Sequence, residues 1–144
     1  MVPESPPLSV LVVEDSEDAA QSTAELLALC GHAVRVAACG GDALRAAAAQ
    51  TPDVVILDIG LPDMSGWDVA ARLRAGAVGK QPVVVAVTGY GAAGDRWRSA
   101  DAGVDLHLVK PADPAALSAL LDRVREYIRP SAPRRAGRWG SAGE

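Results

Sequence analysis

Asp53-Val54-Val55-Ile56-Leu57-Asp58-Ile59-Gly60-Leu61-Pro62 holds four consecutive apolar residues that run into a carboxylate and then into turn-forming residues. Four apolar residues are too few for a buried helix and suit a parallel strand covered on both faces. Asp58 then stands at the C-terminal end of a strand. Three other stretches share this form: Leu8 to Val13 runs into Glu14-Asp15, Val83 to Val87 into Thr88, and Leu106 to Val109 into Lys110. If all four strands are parallel, their polar ends meet along one edge of the sheet.

The surrounding chain is one domain's length, 144 residues, enough to bury about two thirds of its unfolded surface. A net charge of −4 gives no broad basic field for nucleic acid or anionic lipid, so neither is expected as a direct partner. No apolar run is long enough to span a membrane, and Met1 to Pro7 lacks the basic and apolar regions of a signal peptide. A cytoplasmic location is the expectation. Cys30 and Cys39 fit no zinc or redox spacing and read as reduced, small core residues.

Along the chain, residues 1–7 form a proline-rich leader, expected to be mobile, and residues 8–128 form the domain. Thr23, Leu26, Leu27 and Cys30 repeat at helical spacing until Gly31 stops the first helix. Ala33 to Ala37 is a weakly alternating second strand with no charged group at its C-terminal end. An alanine-rich helix from Asp42 to Gln50 follows, with Ala43, Leu44, Ala47 and Ala48 as its apolar face. After the turn cluster Gly60 to Gly66, the residues Gly66, Val69, Ala70 and Leu73 mark a third helix. A fourth helix is expected from about Ala92 to Ala102. Asp113-Pro114 caps a fifth, whose stripe is Leu117, Leu120, Leu121, Val124 and Ile128. Residues 129–144 carry four arginines against one glutamate and no helical periodicity, and read as a disordered basic tail or linker.

Five strands alternating with five helices define an α/β domain with a parallel sheet and right-handed crossovers. Strand order 2-1-3-4-5 puts the strand without a polar end on an edge. It also places the switch point between strands one and three, where Asp15 and Asp58 fall.

Glu14, Asp15 and Asp58 at neighbouring strand ends repel one another unless a cation sits among them or protons are taken up. An all-oxygen set with room for water and phosphate suits Mg²⁺. A carboxylate beside that ion is a plausible phosphoryl acceptor, with Lys110 and Thr88 offsetting the charge of the other oxygens. Any one of these residues alone is more often a turn aspartate or a solvated lysine. Their common place at four strand ends is what favours a site.

Over residues 8–128 the chain resembles the response-regulator receiver domains, the CheY-like family with a flavodoxin-like three-layer (βα)5 fold. The matching motifs are Glu14-Asp15, Asp58 with Leu61-Pro62 and Gly66, Thr88-Gly89, and Lys110-Pro111. Within the family, the resemblance is nearest to receivers of hybrid sensor kinases or their stand-alone relatives. The resemblance implies that Asp58 takes a phosphoryl group from a histidine kinase or histidine phosphotransfer protein. Asp15, Asp58 and the Gly60 carbonyl would ligate Mg²⁺, with Glu14 supporting the ion. Backbone N–H groups of Ile59, Gly60 and Gly89 would hold phosphoryl oxygens, and the Lys110-Pro111 bond would be cis. Thr88 and the residue at position 107 would form the switch, changing the face made by the fourth helix, fifth strand and fifth helix for a downstream partner of unknown identity. His107 stands where the family usually has tyrosine or phenylalanine. Two other readings compete: a pseudo-receiver that is never phosphorylated, and an aspartyl-phosphate phosphatase. The phosphatase needs a second aspartate at position 60, which is glycine.

Overall fold

A computed structural model describes residues 7–76, 81–88, 103–109 and 114–128. Strands β1 (Ser9–Val13), β2 (Ala33–Ala37), β3 (Val54–Asp58), β4 (Val83–Thr88) and β5 (Leu106–Val109) form one sheet in order β2-β1-β3-β4-β5. All four pairings are parallel. The chain follows β1 with helix α1 (Glu17–Leu29), β2 with α2 (Gly40–Ala49) and β3 with α3 (Gly66–Gly76), and ends the described region in a C-terminal helix, Pro114–Ile128. The expected fourth helix and the basic tail lie outside the described residues.

The period-two alternation of the strands divides the core in two. Val10, Val12, Val54, Ile56, Val85 and Val87 face Leu27 of α1 and Leu117, Leu121 and Val124 of the C-terminal helix. Leu11, Val13, Val55, Leu57 and Val84 face Ala43 of α2 and Val69, Ala70 and Leu73 of α3. Val54 to Leu57 are buried whichever way they point, which is why β3 has no polar interruption before Asp58.

Helix ends follow local chemistry. The Ser16 hydroxyl accepts the Ala19 N–H at the start of α1, and Gly31 beyond its end adopts φ +94, a conformation open to glycine. Pro114 occupies the first position of the C-terminal helix. Two helix faces differ in part from expectation. On α1 the buried residues are Ala20 and Leu27, with Thr23, Leu26 and Cys30 only half-buried. On α2, Ala43, Leu44 and Ala47 pack toward the core as expected, but Ala46 joins them and Ala48 is exposed, because an alanine-rich helix has little contrast between its sides to fix its rotation. The cysteines also differ from expectation: both are free, but each is half-buried, outside the two core clusters.

Candidate functional site

The C-terminal ends of β1 and β3 bring three carboxylates together. Asp58 is the last residue of the central strand and only 6% exposed. Glu14 follows β1, with its N–H on the Ala37 carbonyl at 3.0 Å and its Oε2 accepting the Ser16 N–H at 3.1 Å. Asp15 next to it is exposed. One carboxylate oxygen from each residue lies within 4.8 Å of the others. Mg²⁺ bound at about 2.1 Å spans oxygens up to about 4.2 Å apart. A small inward movement of the outermost pair therefore lets one ion touch all three, and the residues fit the ion.

At the end of the neighbouring strand β4, Thr88 is 3% exposed, and its Oγ1 is buried without a hydrogen-bond partner among the described residues. A buried hydroxyl left unpaired costs about 1–3 kcal/mol. A phosphoryl oxygen is a natural acceptor for it. The register pairs Asp58 with Val87, so Thr88 stands one residue beyond the acceptor on the adjacent strand. His107 pairs with Ala86 and is half-buried. Paired residues of parallel strands share a sheet face, and successive even positions of β4 do too, so His107 and Thr88 project from the same side.

The loop after β3 is held closely. The Gly60 N–H donates to Asp58 Oδ1 at 3.1 Å, and the Gly66 N–H donates to the Ile59 carbonyl at 2.9 Å. A Cβ at Gly66 would lie 2.6 Å from the Ile59 Cα and 2.8 Å from the Asp58 carbonyl oxygen, so only glycine permits this return. The expectation for Ile59 is modified: its N–H donates to the Val87 carbonyl at 3.2 Å, extending the ladder between β3 and β4. Gly89, Lys110 and Pro111 lie outside the described residues.

Sequence reasoning overlooked Asp63. Its Oδ1 accepts the Gly40 N–H at 2.8 Å and its Oδ2 the Gly41 N–H at 2.9 Å. Those bonds, the Gly41 contact first, favour the anion and lower its pKa from the ordinary carboxylate value. The available signal was Cys39-Gly40-Gly41, a helix start whose N-cap residue makes no side-chain bond of its own.

Residues 10–122 match the response regulator receiver domain family. The transcriptional regulatory protein KdpE of Mycobacterium tuberculosis is 39% identical over 120 residues, which cover 83% of this chain and 50% of that protein. Among solved structures, chemotaxis response regulator CheY4 of Vibrio cholerae matches with a TM-score of 0.76 at 30% identity, over 82% of this chain and 98% of that one. A CheY-like receiver domain from Methylobacillus flagellatus matches with a TM-score of 0.73 at 32% identity, over 82% and 98% of the two chains.

The chain belongs to the response-regulator receiver domain family. Receiver domains are in general signalling domains rather than enzymes, they interact with histidine kinases, and they typically bind Mg²⁺ in an acidic pocket such as the one formed here. The chain spans about half the length of the curated relatives it matches. No helix among the described residues is long and apolar enough to cross a membrane.

Proposed function

We propose that this domain is the phosphoacceptor of a two-component phosphorelay, with Asp58 receiving a phosphoryl group from the phosphohistidine of a histidine kinase or phosphotransfer protein. The observation that carries this reading is the burial of Asp58 at the end of the central strand, with Glu14 and Asp15 oxygens within 4.8 Å. In the transfer, an Asp58 carboxylate oxygen attacks phosphorus, the acyl phosphate P–O bond forms and the P–N bond to the imidazole breaks. Asp15, Asp58 and the Gly60 carbonyl, with Glu14 in support, would hold Mg²⁺, which would supply charge neutralisation at the phosphoryl oxygens.

The chain's own groups do the rest. Thr88 Oγ1 donates to one phosphoryl oxygen, and the Gly60 N–H exchanges its bond to Asp58 Oδ1 for another. Lys110 follows Val109, the register partner of Thr88, and neutralises a third. Gly89 contributes a further N–H. Movement of Thr88 toward the phosphoryl group changes the packing available to His107 on the same sheet face, and so alters the surface of the fourth helix, β5 and the C-terminal helix, where a downstream protein binds. The KdpE resemblance supports an output in transcription, reached through that surface and not by direct nucleic-acid binding of this domain. A cytoplasmic location accompanies that role.

The test is to incubate the protein with Mg²⁺ and acetyl phosphate and weigh it. A single phosphoryl adduct, absent without Mg²⁺ and mapped to Asp58, is expected. Rapid catalytic turnover would indicate a phosphatase, and no adduct a pseudo-receiver.

A further inference from the structure

The loop from Ile59 to Ser65 is fastened at two separate points. Its base is closed by the Gly66 N–H on the Ile59 carbonyl, next to the acceptor strand. Its tip is fastened to another element altogether, because the two oxygens of Asp63 take the first two N–H groups of α2, 23 and 22 positions earlier in the chain. Met64 packs over the same helix start. A Cβ on Gly40 would come within 2.4 Å of the Met64 Cγ, so the missing side chain is the space Met64 occupies. The Cys39 side chain makes no capping bond, and α2 therefore takes its cap from the loop.

Between the two fastenings lies Gly60, whose N–H reaches Asp58 Oδ1. Glycine has no side chain to anchor it, so the position of this peptide depends on how the loop is held. We propose that Asp63 is a positioning residue for the acceptor site, tying the loop to the N-terminus of α2 so that the Gly60 peptide stays on Asp58. The inference rests on the phosphoacceptor reading of Asp58. It goes further by making α2 a structural support of the reaction. Asp63 touches neither the phosphoryl group nor the ion and acts through the backbone between positions 60 and 63.

The test compares the wild-type protein with Asp63→Ala, Asp63→Asn and Ala48→Gly. The last variant weakens α2 through helix propensity at an exposed position and leaves the loop untouched. Initial rates of adduct formation with acetyl phosphate and Mg²⁺ are measured by mass, alongside Tm and amide ¹H–¹⁵N spectra without phosphodonor. Misplacement of a reacting geometry by a fraction of an ångström is expected to slow Asp63→Ala by about tenfold. Asp63→Asn, which keeps one acceptor oxygen, falls between it and the wild type, and Ala48→Gly reacts at the wild-type rate. The Gly60 amide resonance moves in Asp63→Ala and stays in Ala48→Gly. An Asp63→Ala protein that reacts no slower than an Ala48→Gly protein of similar Tm overturns the proposal. If the wild type itself forms no adduct, the phosphoacceptor reading fails, and the Gly60 resonance alone then decides the positioning role. Should Asp63→Ala not fold, Asp63→Asn carries the same comparison.

Discussion

The Arg125 guanidinium lies against the His32 imidazole, with Nη2 at 3.2 Å from Nε2 and 3.3 Å from Nδ1. His32 is 6% exposed, and its Nδ1 accepts the Leu8 N–H at 3.2 Å. That bond requires a lone pair on Nδ1, so the buried ring is neutral with its proton on Nε2. The pair joins the C-terminal helix to the start of β1, far along the chain from Asp58. Burial first, and the Arg125 charge second, lower the His32 pKa from 6.5, while Asp122 opposes them.

The sign of the resulting pH dependence follows. The folded state binds a proton at His32 less readily than the unfolded chain, so the stabilisation is present above pH 6.5 and is lost as pH falls through the lower folded value. Urea unfolding midpoints should decline between pH 7.5 and 5.5. His32→Asn, which offers an acceptor oxygen to Leu8 without a basic site, should flatten that decline. Equal slopes in the two proteins would assign the dependence to another group.

Asp58→Asn should abolish the acetyl phosphate adduct and leave the fold intact. Removing one charge from three crowded carboxylates is expected to raise stability by up to about 2 kcal/mol in the absence of Mg²⁺. Mass measurement and thermal unfolding check both parts. An undiminished mass shift would move the acceptor elsewhere.

Asp15→Ala should lose most of its Mg²⁺ affinity, at least about tenfold, because too few oxygens remain to hold the ion against water. Adduct formation should become correspondingly more dependent on Mg²⁺ concentration. Isothermal titration with Mg²⁺ gives the affinity directly, and a Kd equal to the wild type's would place the ion away from Glu14, Asp15 and Asp58.

Thr88→Ala should slow phosphorylation by about a hundredfold to a thousandfold, the range for removing a donor aimed at developing charge. Stability should change by less than about 1 kcal/mol, since losing the buried methyl contact is offset by removing a hydroxyl with no partner among the described residues. A large loss of stability with an unchanged rate would make Thr88 a structural residue only.

His107 should report the switch. With a beryllofluoride mimic on Asp58, the ring resonances of His107 should shift, because Thr88 on the same sheet face moves toward the phosphoryl position. His107→Tyr should restore the aromatic contrast usual in the family. Identical His107 spectra with and without the mimic would leave it a static residue of β5.

The linear pattern of residues determined the sheet. Short apolar runs of the right length, each ending in a polar residue, can be satisfied only by strands buried on both faces with their ends at one edge. The order β2-β1-β3-β4-β5 agrees with placing the one strand that lacks a polar end, Ala33–Ala37, on an edge and the switch point between the first and third strands. Asp58, Glu14, Asp15 and Thr88 were legible for the same reason: a strand's direction fixes where its last residue points, whatever the helices do. Helix faces were read less well. Alanine-rich α2 has too little contrast between its sides to fix its rotation, and the structure turned Ala46 inward in place of Ala48. Tertiary structure alone decided the long-range polar contacts. Asp63 meets Gly40 and Gly41, and Arg125 meets His32, only after the chain has packed, and a polar contact between residues 22, 23 or 93 positions apart leaves no periodic trace. Hydrophobic burial is written as a repeating pattern because many side chains share one face. A buried polar contact is a single meeting of two groups, and only the folded geometry chooses the partner.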